Sequence, residues 1–400
     1  MPSPSLTSLR PTVSSIWSVP LALLALAMGG FSIGTGEFVI MGLLPDVATD
    51  LHISIPAAGH LISAYALGVV VGAPVLAILG ARLPRKHLLL ILMLMYALGN
   101  VLSTVVPGYV SLILARFFSG LPHGTYFGVA SLVAAQLVPY HKRTQAVAMV
   151  MLGLAVATLL GVPSAAALGQ WAGWRWAFVL VGVFALLAML LLQCFVQYQA
   201  GTSKASPLHE LSALKNRQIW LTLGIGAVGF GGMFSIFSYI KPTMMNLAHV
   251  PEIRIPLILA MFGLGTILGN ILGAKLADKN LERTIRGLLL YAMLVMLFFL
   301  WSAHHAFLGA FTLLLVGMMV ALGPALQTRL MDVAGEAQTL AAALNHSAFN
   351  VANALGAWLG GLTIGAGLGW TSTAWVGACL ALGGLLIHRY SLKPLKRPTA

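Results

Sequence analysis

Twelve long apolar runs constrain the fold of this 400-residue chain more than any other feature of its sequence. A helix needs about 20 apolar residues to cross the hydrocarbon core of a bilayer. Charged residues make up only 8% of the chain, against about 25% in soluble domains. The sequence therefore predicts an all-α membrane protein with twelve transmembrane helices. The runs, numbered spans 1 to 12, are 18–44, 57–80, 87–107, 109–138, 146–169, 176–198, 218–247, 255–277, 285–302, 305–330, 339–366 and 370–389.

Positive charge sets the orientation of these spans, because cytoplasmic loops of membrane proteins carry an excess of Lys and Arg. With both termini in the cytoplasm, eighteen of the 22 Lys and Arg residues fall on the cytoplasmic side. The outer side keeps Arg175, Lys241 and Arg254, whereas Arg116 lies inside span 4. We expect Lys241 to extend its amine to the membrane interface. Topology thus accounts for the net charge of +13 without nucleic-acid binding.

The longest polar connection divides the spans into two sets of six. We predict an N-terminal six-helix bundle over 1–198, a cytoplasmic linker over 199–217 and a C-terminal six-helix bundle over 218–400. The halves also repeat, because Gly80-Ala81-Arg82-Leu83 after span 2 matches Gly273-Ala274-Lys275-Leu276 after span 8, at an offset of 193 residues. Paired six-span halves are typical of transporters that bind substrate near the middle of the membrane, between the halves.

Glu37 is the only one of the nine acidic residues that the sequence places well inside a span. An ionisable group in hydrocarbon is costly and by default indicates function. Arg116 in span 4 lies at a similar depth, so the two side chains would face each other if spans 1 and 4 are neighbours. A Glu beside a movable Arg can hold and then release a proton, whereas a fixed pair would only orient the two helices. We predict that Glu37 and Arg116 serve proton coupling.

One face of span 4 continues from Arg116 through Gly120, His123 and Phe127, at steps of four, three and four residues. His123 titrates near neutral pH when it is solvated. It either relays a proton or hydrogen-bonds a substrate, and the alternative is a neutral ring bonded to a backbone carbonyl. We include His123 among the predicted proton-coupling residues.

Span 11 carries a polar stripe formed by His346, Asn350 and Asn353. Such side chains either hold neighbouring membrane helices together or line a wet cavity, and we predict cavity lining. Tyr239 lies near the outer end of span 7. Together with Phe127, these four residues form the predicted substrate cavity.

The loop after span 8 contains Asp278 and Lys279. Asp278 either pairs with neighbouring cations and latches two helix bundles in one state, or belongs to an ordinary cytoplasmic charge cluster. Under the offset of 193, its counterpart is Arg85, so the first half lacks this acid. Glu37 likewise falls on Phe230, and this asymmetry is expected of a functional group rather than of a packing requirement shared by both halves.

Several of these patterns resemble motifs of the major facilitator superfamily. Segment 273–279 looks like its inter-helix loop motif, and Arg116-x3-Gly120-x3-Gly124 looks like its span 4 motif, which is associated with proton coupling. Gly153-x7-Gly161-x-Pro163 is similar to its span 5 antiporter motif. The residues with predicted conformational roles are Gly80, Arg82, Gly120, Gly124, Gly161, Pro163, Gly273, Asp278 and Lys279.

Within that superfamily the chain most resembles the arabinose-inducible (AraJ-type) efflux transporters of the drug:proton antiporter branch. The resemblance implies two six-helix bundles, alternating access, and export of sugars or drug-like compounds in exchange for protons. It also implies that Glu37 is the span 1 acid and Arg116 the span 4 arginine of that group. The stretches that carry the resemblance are 37–42, 53–60, 65–74, 119–124, 237–242 and 345–361.

We predict that the chain is a proton-coupled secondary transporter in the inner membrane of a bacterial cell, where it acts as a monomer and exports small molecules. One rival is a proton symporter that takes up a small solute. A second rival is a membrane sensor without transport, which the sequence disfavours because the longest polar loop is 199–217. The sequence contains no phosphate-binding loop, nucleophile–base pair or metal-ligand spacing, so we predict no enzyme, no cofactor and no metal.

Overall fold

The computed structural model describes residues 18–53, 55–198, 210–251, 254–335 and 337–392. Within this part of the chain, helices occupy all twelve predicted spans. Nine helical segments among the described residues are long and apolar enough to cross a membrane. Spans 4, 11 and 12 are continuous helices of 28, 28 and 20 residues. Most of the predicted linker, residues 199–209, lies outside the described residues.

Several spans consist of consecutive helices, and others extend past their predicted ends. Span 1 continues to Asp50, beyond the apolar run that ends at residue 44. The helices are, in chain order, Ser18–Asp50, Ile55–Leu79, Arg85–Val105, Tyr109–Gln136, Arg143–Val156, Val162–Ala172, Trp174–Phe195, Arg217–Gly224, Gly231–Phe237, Ile240–Leu247, Ile255–Lys279, Leu281–Ser302, Ala306–Met318, Leu322–Val333, Gln338–Gly365 and Ser372–Ser391.

Irregular turns join the helices within three spans. Spans 5 and 7 contain π-helical turns at Ala157–Gly161 and Ile225–Gly229, and span 10 contains a 3₁₀ turn at Met319–Ala321. Pro163 follows the turn in span 5. Because proline has no backbone N–H and its ring clashes with the carbonyl four residues earlier, it accounts for the irregularity there. Two short 3₁₀ helices lie outside the spans, at Tyr140–Lys142 and Ser212–Lys215.

Each half of the chain has a hydrophobic core of its own. The buried residues of one core lie between positions 22 and 196, and those of the other between 225 and 381. Two smaller clusters join the halves. In the first, Ala73 and Ala77 of span 2 share a cluster with Leu340 and Ala341 of span 11.

The second joining cluster brings Leu132 of span 4 and Val147 of span 5 together with Met331 of span 10 and Ala342 of span 11. The residues of both clusters lie in the cytoplasmic portions of their spans. The halves therefore meet closely on the cytoplasmic side, which is the side that is closed in this conformation.

Backbone contacts repeat between the halves at the offset seen in the sequence. A Cβ atom on Gly72 would collide with the carbonyl oxygen of Leu121, where spans 2 and 4 cross. Gly265 stands in the same relation to Leu314, where spans 8 and 10 cross, and both positions are shifted by 193 residues. Small residues permit such close approach between membrane helices. The sequence repeat is thus also a repeat of packing.

Candidate transport site

The carboxylate of Glu37 lies beside an imidazole of span 4. Its Oε2 atom is 3.9 Å from Nδ1 of His123. The Glu37 side chain is 15% exposed, whereas the His123 side chain is 2% exposed. Spans 1 and 4 therefore are neighbours, as the predicted pairing required. The distance suits an ion pair when the ring is protonated, and is too long for a direct hydrogen bond.

Arg116 does not form the direct pair with Glu37 that the depth of the two residues suggested. Its guanidinium group is fully buried and lies over the rings of Tyr65 and Phe178, at 4.6 and 5.3 Å from their centroids. Among the described residues, none accepts a hydrogen bond from its three guanidinium nitrogens. Cation–π attraction partly replaces the missing polar partners. Similar depth along two helices therefore did not bring the two charges into contact.

Tyr65 on span 2 connects these groups and was not among the predicted site residues. Its hydroxyl oxygen lies 3.0 Å from Nδ1 of His123, within hydrogen-bond distance. On span 3, the Tyr96 hydroxyl donates to the carbonyl of Ile33 in span 1 at 3.0 Å. Buried tyrosine hydroxyls generally need a partner. A tyrosine within an apolar span was the signal in the sequence that could have identified both residues.

The imidazole of His123 also reaches the second half of the molecule. Its ring centroid is 5.2 Å from that of His346 in span 11. Phe127 stacks on His346 at 4.4 Å, with an angle of 19° between the rings. His346 is 7% exposed, and its Nε2 atom has no hydrogen-bond partner among the described residues. Glu37, His123 and His346 thus form a line that crosses from one half to the other.

Two of the other predicted cavity residues, Tyr239 and Asn350, donate hydrogen bonds to backbone carbonyls. The Tyr239 hydroxyl donates to the carbonyl of Ala357 at 2.7 Å, which ties span 7 to span 11 within the second half. Asn350 donates to the carbonyl of His346 at 2.9 Å in its own helix, and Asn353 is half-buried. Of these residues, Tyr239 thus holds two neighbouring helices together, whereas the bond of Asn350 stays within its own helix.

Asp278 crosses the cytoplasmic interface between the halves. Its carboxylate accepts hydrogen bonds from the backbone N–H groups of Thr144 and Gln145, at 2.7 and 3.0 Å, and from the Gln145 side chain at 2.9 Å. The first N–H groups of a helix lack partners within the helix and favour negative charge. The carboxylate of Asp278 thus binds the start of span 5, whereas the sequence suggested a neighbouring cation as its partner.

An ion pair strengthens the same interface. Arg143 of span 5 donates to Asp332 of span 10 at 2.8 Å. It was not among the predicted site residues. A cytoplasmic cavity of about 190 Å³ lies between these groups, and Tyr140, Thr328 and Leu281 also line it. The contacts of Asp278 and Arg143 therefore both join the first half to the second at the cytoplasmic edge.

Most of the predicted motif glycines lie where helices touch. A Cβ on Gly120 would collide with the carbonyl oxygen of Tyr65, and one on Gly124 would lie 2.7 Å from Cβ of Ala73. Gly161 meets Thr35 and Gly273 meets Ala321 in the same way.

The remaining motif residues lie in or near the loops on the cytoplasmic side. Gly80 packs against Leu88, because an added Cβ would come within 2.6 Å of that side chain. Arg82 and Lys279 are exposed. In the part of the chain that the structure describes, no group of three His, Cys, Asp or Glu residues could hold a metal ion.

Comparison with known proteins identifies the family. The sequence model of the Major Facilitator Superfamily matches residues 26–345. The chain belongs to the major facilitator superfamily. This superfamily consists of transporters rather than enzymes, so the chain is a secondary transporter of small molecules.

Relatives extend over nearly the whole of this major facilitator transporter. It is 42% identical to the inner membrane transport protein YdhP of Escherichia coli K12, over 94% of this chain and 96% of that protein. It is 36% identical to the putative transporter AraJ of the same strain, over 92% and 94%. A chloramphenicol resistance protein of Streptomyces lividans is 32% identical, over 92% and 95%. The transporter is a multi-pass protein of the bacterial inner membrane.

Solved structures confirm the fold. The proton:xylose symporter XylE superposes with a TM-score of 0.74, covering 95% of this chain and 97% of that one, at 15% identity. At that identity the likeness concerns the fold alone. The predicted all-α architecture of the major facilitator superfamily is therefore correct.

Proposed function

We propose that this transporter exports small sugars or drug-like compounds in exchange for protons, by alternating access. The observation that carries the proposal is the line formed by Glu37, His123 and His346. Glu37 and His123 are ionisable groups of the first half, and His346 belongs to the second. A change of charge at Glu37 therefore acts on a contact between the halves, and alternating access requires that contact to change.

Protonation at Glu37 is the proposed coupling step. In the conformation closed to the cytoplasm, Glu37 is reached from the outer side and takes up a proton there. Protonation neutralises the carboxyl group and so removes the buried charge that lies beside His123. After the halves rearrange, Glu37 releases the proton into the cytoplasm and substrate binds from that side. The scheme drives export only if proton and substrate have different affinities for the two conformations.

The names of two relatives favour export over uptake. The Streptomyces lividans relative is named for chloramphenicol resistance. A probable sugar efflux transporter of Haemophilus influenzae is 28% identical, over 91% of this chain and 92% of that protein. We therefore propose that the substrates are drug-like molecules or sugars, and that the transporter belongs to the drug:proton antiporter branch.

The test is transport driven by an imposed pH gradient in proteoliposomes, with chloramphenicol and a panel of monosaccharides as probes. We expect Glu37→Gln to abolish uphill movement of any probe that the wild type transports, by about 100-fold or more, since an intramembrane carboxylate carries the coupling. Downhill exchange of the same probe should persist, because an amide mimics the protonated side chain.

The matched control is Asp46→Asn, which removes a carboxylate near the outer end of the same helix and should leave coupling intact. Uphill transport by Glu37→Gln at the wild-type rate would refute the role of Glu37. Proton release on adding substrate to weakly buffered, detergent-solubilised protein supports exchange. Substrate binding that is strengthened by protons would instead favour symport.

A further inference from the structure

A carboxylate from the linker caps the start of span 11. The Oε2 atom of Glu210 accepts a hydrogen bond from the backbone N–H of Leu340 at 2.8 Å. Glu210 is 4% exposed, although it belongs to a segment that the sequence marks as polar and cytoplasmic. The first turn of a helix presents unpaired N–H groups and a partial positive charge, so a carboxylate is stabilised there.

The same carboxylate also faces the first half of the molecule. Arg85, the first residue of the span 3 helix, lies within range of electrostatic attraction to Glu210. Glu210 is therefore placed between a cation of the first half and a helix start of the second. A contact of this kind favours the conformation in which the halves are close together on the cytoplasmic side.

The contact of Glu210 with span 11 resembles the contact of Asp278 with span 5, which is the counterpart of span 11 in the first half. Asp278 follows span 8 and caps the start of span 5, which belongs to the other half. Span 11 is the counterpart of span 5, but the counterpart of Asp278 is Arg85, which cannot cap a helix start. We infer that Glu210 is a positioning residue which holds the cytoplasmic side closed, in place of the loop acid that the first half lacks.

Neighbouring linker residues are docked as well. Ala213 is 2% exposed and shares the joining cluster with Ala77 and Leu340. Asn216 donates its side-chain amide to the carbonyl of Val333, at the end of span 10, at 2.7 Å. The linker from residue 210 onward is thus part of the closed cytoplasmic interface. It is more than a tether between the bundles.

Opening to the cytoplasm must move Arg85 of the first half away from Glu210, which stays bound to span 11 of the second half. This inference rests on the proposed alternating access, but it does not depend on proton coupling or on the direction of transport. The experiment therefore measures exposure of the cytoplasmic interface in the absence of substrate and of a pH gradient. If Glu37→Gln kept uphill transport, the proposed coupling role of Glu37 would be refuted, but the result of this labelling experiment would not change.

The probe is a cysteine at Ala77, a buried residue of the joining cluster, in protein whose Cys194 and Cys379 are replaced by serine. The rate of maleimide labelling in detergent reports how often the interface opens. We expect Glu210→Gln to speed labelling of Ala77→Cys about tenfold, because the amide carries no charge to attract Arg85 and accepts only a weaker, neutral hydrogen bond from Leu340.

A second cysteine separates opening from general loosening. Ala185 is fully buried in the core of the first half, so Ala185→Cys should label slowly with and without Glu210→Gln. Adding Arg85→Asp to Glu210→Gln places a carboxylate at position 85, the counterpart of Asp278. This second change should return the labelling rate of Ala77→Cys toward the value without Glu210→Gln. Unchanged labelling at position 77, equal acceleration at position 185, or no rescue by Arg85→Asp would each overturn the inference.

Discussion

The two halves share one packing frame but differ in the chemistry of their interiors. In the first half, Glu37 lies beside His123. At the repeat positions of the second half stand Phe230 and Val316, which are 5% and 0% exposed. Phe230 packs against the ring of Phe349 at 4.7 Å between centroids. One half therefore buries ionisable groups at positions where the other buries hydrocarbon.

This difference shows that packing does not require the ionisable groups. The backbone crossings at Gly72 and Gly265 are equivalent, although only one half carries the carboxylate. A functional site can be added to a fold without changing the frame that supports it. The comparison predicts that changes to the frame affect both halves alike, whereas changes to the polar groups affect the first half alone.

The largest effect is expected from the shared crossings. Gly72→Ala and Gly265→Ala each place a methyl group against the backbone of Leu121 or Leu314, which cannot move aside as a side chain could. We expect each change to cost about 1–3 kcal/mol of stability, as overpacking of a close contact does. The measurement is the midpoint of thermal unfolding in detergent.

Gly287→Ala is the control for both variants, because an added Cβ there meets nothing within 4 Å. It should leave stability unchanged or raise it by up to about 1 kcal/mol through helix propensity. A large loss in one half and none in the other would contradict the shared frame.

A smaller effect is expected from the hydroxyl of Tyr65. Tyr65→Phe keeps the ring that lies over Arg116 but removes the hydrogen bond to His123. Loss of a hydrogen bond worth about 1 kcal/mol should lower the rate of proton-driven transport about fivefold, because the imidazole is less well oriented toward Glu37. The pH at which transport is half-maximal should also shift.

Tyr291→Phe is the matched change in the second half, where the hydroxyl donates to the carbonyl of Leu315 at 2.8 Å. We expect its transport rate and pH profile to equal those of the wild type. Equal losses in the two variants would mean that the hydroxyl of Tyr65 serves stability alone.

The smallest effect is expected from an ion pair at the outer surface of the first half. Arg175 and Trp174 donate to Asp50 at 2.6 and 3.1 Å, and these bonds lower the pKa of the Asp50 carboxyl below 3.8. A lowered pKa means that the bonds stabilise the fold above pH 3.8, and that this stabilisation is lost as the pH falls through the folded-state pKa. The repeat position in the second half is Thr243, which has no charge to titrate.

Asp50→Asn should therefore lower the midpoint of thermal unfolding slightly at pH 7, and the difference from the wild type should shrink as the pH is lowered below 3.8. Asp46→Asn, on the same helix, controls for the loss of an exposed carboxylate. A difference that stays constant across the pH range would show that the Asp50 charge contributes nothing.

Much of the fold followed from local features of the sequence. The apolar runs predicted the spans, and the short linkers between them carried the charges that set the orientation. The repeat after spans 2 and 8 predicted the two related halves. Glu37 could be recognised from the sequence alone, because burying a carboxylate within an apolar span is costly whatever its neighbours are.

The partners of the polar residues were decided only by tertiary structure. Residue spacing gives the depth of a side chain and its helical face, and it placed Arg116 level with Glu37. Which groups then touch depends on how each helix is rotated and which helices are adjacent. Those contacts put Arg116 over Tyr65, put His123 beside Glu37, and brought Glu210 to the start of span 11, across 130 residues of chain.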